Sequence, residues 1–286
     1  MENDGYSGHI FKLPNELLDD ISSYLSGSEQ VHFMRTSRKM HAVGSRNLYQ
    51  AVRVHGKMQS LRFFTTILSI NLSDAVPYCK LVHRFAYDSC YREPGLHAFV
   101  CSAMMADAFV AMTSLRTLML GVPDGFAKGY IDAMHSAHMC DYFPRNGRFR
   151  GKFSSESLGT LQHLQIAGDV NLVDFLVGRT VRSLVVQTFL CSEDVDTLAD
   201  VVVRRDSGAY HSLRHLRLSV YTFDILEVFG HLKLLDSVFP LLTELRFGTP
   251  NLNALVSPSF LCQILSKIKL CELAYLALAI RKYGRF

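Results

Sequence analysis

Residues 213–218 read Leu-Arg-His-Leu-Arg-Leu, and this short stretch decides the fold. Leu216 and Leu218 flank Arg217, an alternation of period two that marks a β-strand with one apolar face. The same spacing, apolar-x-x-apolar-x-apolar, returns as VHRFAY from Val82, LRTLML from Leu115, LQHLQI from Leu161 and VRSLVV from Val181. It continues as LTELRF from Leu242 and LAYLAL from Leu273. The starts lie 33, 46, 20, 32, 29 and 31 residues apart. A period near thirty leaves room for one strand, a turn and one returning helix. In the longest interval, the segment from Asp141 to Lys152 (DYFPRNGRFRGK) carries Pro, Gly and Asn, which predicts an inserted loop.

Helices with readable ends lie between the strands. Ser192-Glu193-Asp194 predicts a capped helix running to Arg204-Arg205, with Val195, Leu198 and Val202 turned inward. A second is predicted from about Thr222 to Val238, stopped by Phe239-Pro240. A third opens at Ser257-Pro258, with Leu261, Ile264, Leu265 and Ile268 on its inner face. The alternation resembles leucine-rich repeats, although the Asn or Cys that commonly follows the strand there is absent. The resemblance implies an irregular βα solenoid with a parallel sheet, strands on the concave side and helices on the convex side. The alternating partners of the buried residues then face the concave side. They are Arg84, Asp88, Thr117, His163, Gln165, Gln187, His215, Arg217, Glu244, Arg246 and Tyr275, the candidates for binding a target protein.

The first part of the chain has a different rhythm. Leu13-Pro14 opens a helix, Glu16, Asp19 and Asp20 suit its positive end, and Leu17, Leu18, Ile21 and Leu25 share a face. Gly27 is read as its stop, and Ser28 and Ser37 as caps of two more short helices carrying Val31, Phe33, Met34 and then Met40, Val43. Three short helices make a thin core, so this unit is expected to share apolar surface with a partner or the region behind it. The stretch resembles an F-box, and the F-box proteins of fungi in particular. The matching residues are Leu13, Pro14, Glu16, Leu17, Ile21 and Leu25, then Ser37-Arg38-Lys39 and Leu48-Tyr49. Met40 stands where Trp or Phe is common, and Thr36 where an apolar residue is usual. The resemblance implies docking on a Skp-family adaptor through Leu13, Pro14, Leu17, Ile21, Leu25 and Met40, and through that adaptor on a cullin.

Composition narrows the rest. Of 286 residues, 49% are apolar types and 20% charged, which argues against disorder. Thirty basic against twenty-six acidic residues gives +4, too mild a surplus to indicate nucleic-acid or membrane binding by bulk charge. Mean hydropathy is +0.13, and the chain contains no Trp. The most apolar stretch, Leu96 to Met112, is broken by His97 and Asp107 and is too short to span a bilayer. The acidic start, MENDGYSGHIFKLPNE, lacks the pattern of a secretory signal, and the seven cysteines show no C-x-x-C pair. Reduced thiols in the cytoplasm or nucleus are expected, with Asn71-Leu72-Ser73 unmodified.

Motifs for chemistry are missing. No G-x-x-x-x-G-K-[ST], G-x-G-x-x-G or G-x-S-x-G occurs. His135, His138 and Cys140 lie within six residues, but a tetrahedral metal site wants a second pair and none is spaced for it. His211 and His215 straddle a strand start and do not share a face, and Arg145, Arg148, Arg150 and Lys152 read as a solvated loop. The expectation is an α/β protein, an all-helical unit at 10–55 and a repeat array at 56–286, with neither cofactor nor catalytic residue. Its role would be that of a substrate receptor in a cullin-RING ubiquitin ligase. The alternative is a protein-binding solenoid scaffold that does not direct degradation.

Overall fold

The structure, a computed structural model, describes residues 9–69, 78–88, 96–123, 127–136, 140–142, 151–153, 158–176, 180–203, 212–222, 225–248 and 275–279. A 3-10 turn at His9–Lys12 leads into α1 (Asn15–Ser23), with Pro14 as its N-cap. Helix α2 (Gly27–Met34) is capped by Ser26, not Ser28, and Gly27 begins this helix instead of ending the one before. The reason is spacing: Glu29 lies three residues past Ser26 and accepts hydrogen bonds from its backbone N–H (2.8 Å) and hydroxyl (2.7 Å). Those two donors hold the Glu29 carboxyl below its ordinary pKa. Helix α3 (Arg38–Gln50) starts at Ser37, whose side chain accepts from the Met40 N–H at 3.1 Å. Leu18, Met40 and Val43 form the small core of this unit, flanked by Leu13, Ile21 and Phe33.

Beyond it the chain alternates. In order come β1 (Ala51–His55), α4 (Lys57–Ser69), α5 (Tyr78–Leu81), β2 (Arg84–Asp88), α6 (Leu96–Ala111) and β3 (Thr117–Val122). Next are α7 (Ala127–Ser136), β4 (Cys140–Tyr142), β5 (Gly151–Phe153), β6 (His163–Gly168) and a 3-10 helix at Val170–Leu176. The rest comprises β7 (Ser183–Leu190), α8 (Ser192–Val203), β8 (His215–Val220), α9 (Ile225–Val238), β9 (Glu244–Gly248) and β10 (Tyr275–Ala279). Among the described residues, eight strands form one sheet in the order β1-β2-β3-β6-β7-β8-β9-β10, every adjacent pair parallel. Parallel neighbours require crossovers, and the described helices lie in them and pack on the sheet in one core.

Register turns the period-two pattern into rows. Phe85, Leu118, Leu164, Leu184, Leu216 and Leu245 stand side by side across six strands, each no more than 2% exposed. They join Phe64, Met105, Phe109, Ile131, Leu198, Leu232 and Leu235 from the helices in one continuous core. Phe85 meets Phe109 edge-on at 5.8 Å, and the buried hydroxyls of Tyr87 and Tyr130 lie 2.9 Å apart. Just before the strands, a further ladder climbs through Gln50, His83, Arg116, Gln162, Arg182, Arg214 and Thr243, each N–H reaching the preceding carbonyl. At three steps a hydroxyl reinforces it: Thr160 donates to the Leu115 carbonyl at 2.8 Å, Ser212 to that of Val181 at 2.9 Å, and Thr243 to that of Arg214 at 3.1 Å.

Several sequence readings shift. Ala51–His55, carried with the helices on sequence grounds, forms the first strand of the sheet and pairs with β2. The long interval adds no strand to the sheet, since β3 pairs directly with β6. Its predicted loop begins and ends in a small antiparallel pair, β4 with β5. The shortest interval returns through the 3-10 helix at Val170–Leu176 where others use an α-helix. Helix α8 keeps its predicted start and is described to Val203; α9 is described from Ile225, and Thr222, the expected start, is not helical. The helix expected from Ser257-Pro258, the basic residues 145–150, His138 and His211 lie outside the described residues. No helix among the described residues is long and apolar enough to cross a membrane.

Candidate functional site

The first surface belongs to the N-terminal helices. Pro14 and Leu17 are exposed, Leu17 at 48%, while Leu13, Ile21 and Leu25 are half-buried. Met40 is 1% exposed and packs between Leu18 and Val43, so it supports this surface from beneath and offers nothing to a partner. The sequence reading of Met40 as a docking residue is corrected accordingly: as the third residue of α3 it points into the unit. Further exposed apolar side chains were not anticipated: Ile10, Phe11, Tyr24 (89% exposed) and Val31. That is a large share of exposed apolar side chains for a unit of three short helices, and exposed apolar area is what interaction sites use. Polar ties keep it in shape. Asn47 Nδ2 donates to the Asp19 carbonyl at 3.0 Å, and Gln30 Nε2 to that of Ser22 at 2.9 Å.

The second surface is the sheet face away from the helices. Arg84, Thr117, His163, Ser183, His215, Glu244 and Tyr275 line up in one row. Arg53, Ala86, Met119, Gln165, Val185, Arg217 and Arg246 form the next. Arg84, His163, His215, Arg217 and Arg246 are exposed; Asp88, Thr117, Gln165 and Glu244 are half-buried. Gln187 is exposed but leaves the rows, because β7 carries extra residues between Val185 and Phe189. Tyr275 opens β10 in register with Glu244. Two ion pairs lie on this face, His55 with Asp88 at 3.3 Å and Arg246 with Glu244 at 2.6 Å. Between β7, β8 and β9 lies a shallow cavity of about 210 Å³, lined by Ser183, Val185, His215, Arg217, Glu244 and Arg246.

One polar cluster escaped the sequence reading. Glu227 accepts hydrogen bonds from the hydroxyls of Ser192 and Thr222, and His231 Nε2 lies 3.3 Å from Ser192 Oγ. Burial holds the His231 imidazole below its ordinary pKa, although Glu227 and Asp196 oppose this. The Ser192 and Thr222 hydroxyls, with a smaller effect of His231, hold the Glu227 carboxyl low. The hydroxyl is not arranged as a nucleophile. It and the carboxylate approach the same ring nitrogen, whereas a relay needs the acid on the other one. The cluster therefore works as a clasp between α8, α9 and the turn before α9. The neighbouring Cys191 thiol is pushed up by burial and by Asp194, which disfavours the reactive thiolate. Among the described residues no group of three or more His, Cys, Asp or Glu could hold a metal ion.

The chain finds no match among curated proteins. A family model does match part of it, over the helices that carry the exposed apolar surface and the first residues of β1. Residues 10–52 are an F-box domain.

Proposed function

We propose that this chain is a substrate-receptor subunit of a Skp-cullin-F-box type ubiquitin ligase. The F-box domain at residues 10–52 carries the reading. It implies binding of a Skp-type adaptor, and the exposed Pro14, Leu17 and Tyr24 beside half-buried Leu13, Ile21 and Leu25 supply an apolar surface for it. On this reading the array behind is a leucine-rich-repeat-like solenoid, irregular in its returns, and its open face holds the target protein. The parallel, chain-ordered rows and the repeated inter-unit hydrogen bonds support it. The chain performs no chemistry itself. It raises the effective concentration of a target beside the transfer machinery, and it works in the cytoplasm or nucleus.

Affinity capture of the full chain should recover the adaptor and a cullin. Replacing Leu13 and Pro14 by Ala should abolish that recovery while the sheet remains folded; adaptor recovery equal to wild type would sink the docking assignment. Targets that accumulate when the ligase is inhibited separate a receptor from a scaffold that binds adaptor without directing degradation.

A further inference from the structure

The open face of the sheet holds two described carboxylates, and both are engaged. Asp88 Oδ2 faces His55 Nδ1 at 3.3 Å, and Glu244 Oε1 accepts from Arg246 Nε at 2.6 Å. Arg53, Arg84 and Arg217 have no carboxylate partner among the described residues. Arg217 and Arg246 stand directly opposite each other in the β8–β9 register, on strands about 4.8 Å apart. Like charges so placed repel, and Glu244 offsets only the charge of Arg246, which leaves Arg217 in want of an anion.

The cavity beside them sets the size of that anion. Its guanidinium and carboxylate groups are Arg217, Arg246 and Glu244, two cations against one anion. One carboxylate balances this; a phosphate dianion would leave excess negative charge against Glu244. Arg246 is oriented by its bond to Glu244, and Val185 offers an apolar wall for a carboxylate's stem. Along the same row, uncharged Ala86, Met119, Gln165 and Val185 separate Arg217 from Arg53. Five strand spacings, about 24 Å, divide these two cations, a length that about seven extended residues cover.

We infer that the open face takes an extended acidic segment of its partner protein, one Asp or Glu seated between Arg217 and Arg246, an uncharged middle, and a second acid near Arg53. The inference rests on the reading of this face as the target-binding side.

The test uses the full chain with its adaptor and a fluorescein-labelled nonapeptide with Glu at positions 1 and 7, which share one face of an extended segment, and uncharged residues elsewhere. Binding is read by anisotropy. The Gln-substituted peptide should bind at least about tenfold more weakly, and Arg217→Gln or Arg246→Gln should weaken the Glu peptide by about tenfold. Lys233→Gln, on the helix layer, should change nothing. Glu244→Gln raises the local charge and should shift preference toward a phosphoserine peptide. Equal binding of Glu and Gln peptides, or a wild-type preference of about tenfold for phosphoserine, overturns the inference. Adaptor recovery is scored on the same samples. Adaptor bound without the Glu peptide sinks this inference alone, and peptide bound without adaptor sinks the ligase reading alone.

Discussion

The ammonium of Lys39 lies 2.6 Å from the carbonyl oxygen of Leu13 and 3.2 Å from that of Phe11. A side chain near the start of α3 thus ties down the segment that leads into α1. Losing the charge while keeping the stem frees that segment without removing an apolar contact. Lys39→Met should therefore weaken adaptor binding about tenfold and shift unfolding by less than about 1 kcal/mol. Calorimetric titration and denaturant unfolding read the two effects separately.

Leu17 and Met40 should part company in the same assays. Leu17 is 48% exposed, so Leu17→Ala should cost less than about 1 kcal/mol of stability yet remove most adaptor recovery. Met40 is 1% exposed, and Met40→Ala should cost about 3 kcal/mol by opening a cavity against Leu18 and Val43. Equal stability losses would contradict the assignment of one to the surface and the other to the core.

Gly168 closes β6 with φ +89°, and a Cβ there would sit 1.7 Å from the Val122 carbonyl oxygen. That oxygen already accepts from Asp169 N–H at 3.0 Å, so β6 cannot simply move away. Gly168→Ala combines left-handed strain with a backbone clash and should destabilise the protein by roughly 3 kcal/mol. A thermal melt checks this, and limited proteolysis should show new cutting near the ends of β3 and β6.

Acid should loosen the clasp between α8 and α9. Because burial lowers the His231 pKa, the unfolded chain takes up a proton first as pH falls below about 6.5, and stability is lost from there downward. The lowered Glu227 pKa has the same sign: its contribution is present above the ordinary carboxylate range and is lost as pH falls through its folded value. Amide protection factors in α8 and α9, which allow for the slowing of intrinsic exchange in acid, should therefore fall between pH 7 and about 4. His231→Phe should flatten the upper part of that change and leave the part due to Glu227. An unchanged profile in that variant would remove His231 from the account.

The strands were legible because their signal is local. Each of the seven pattern matches places a strand two residues past its first apolar residue, from Val82 and Arg84 to Leu273 and Tyr275. The remaining strand, β1, carries the same spacing in Tyr49, Val52 and Val54, but it follows directly on helical residues and so reads as the close of the helical unit. Row neighbours were not legible, since Arg217 meets Arg246 only through β8–β9 register. Nor was the clasp: Glu227 and His231 look like an ordinary surface pair, and Ser192 lies 35 residues from Glu227 in the chain. The burial of Met40 depends on how α3 packs on α1, which helical spacing alone does not fix.

Helix α3 ends at Gln50 and β1 begins at Ala51, with no linker between. Tyr49 stacks on Tyr78 at 4.4 Å, and the Tyr78 hydroxyl lies 3.1 Å from His41 Nε2, which stiffens the join. The chain is thereby a bracket and not a tether. Whatever sits on the sheet is carried at a fixed bearing and height from whatever grips the first helices. Reach becomes a property of geometry: shifting cargo by one strand moves it about 4.8 Å relative to the docked partner, and no swing of a hinge makes up the difference.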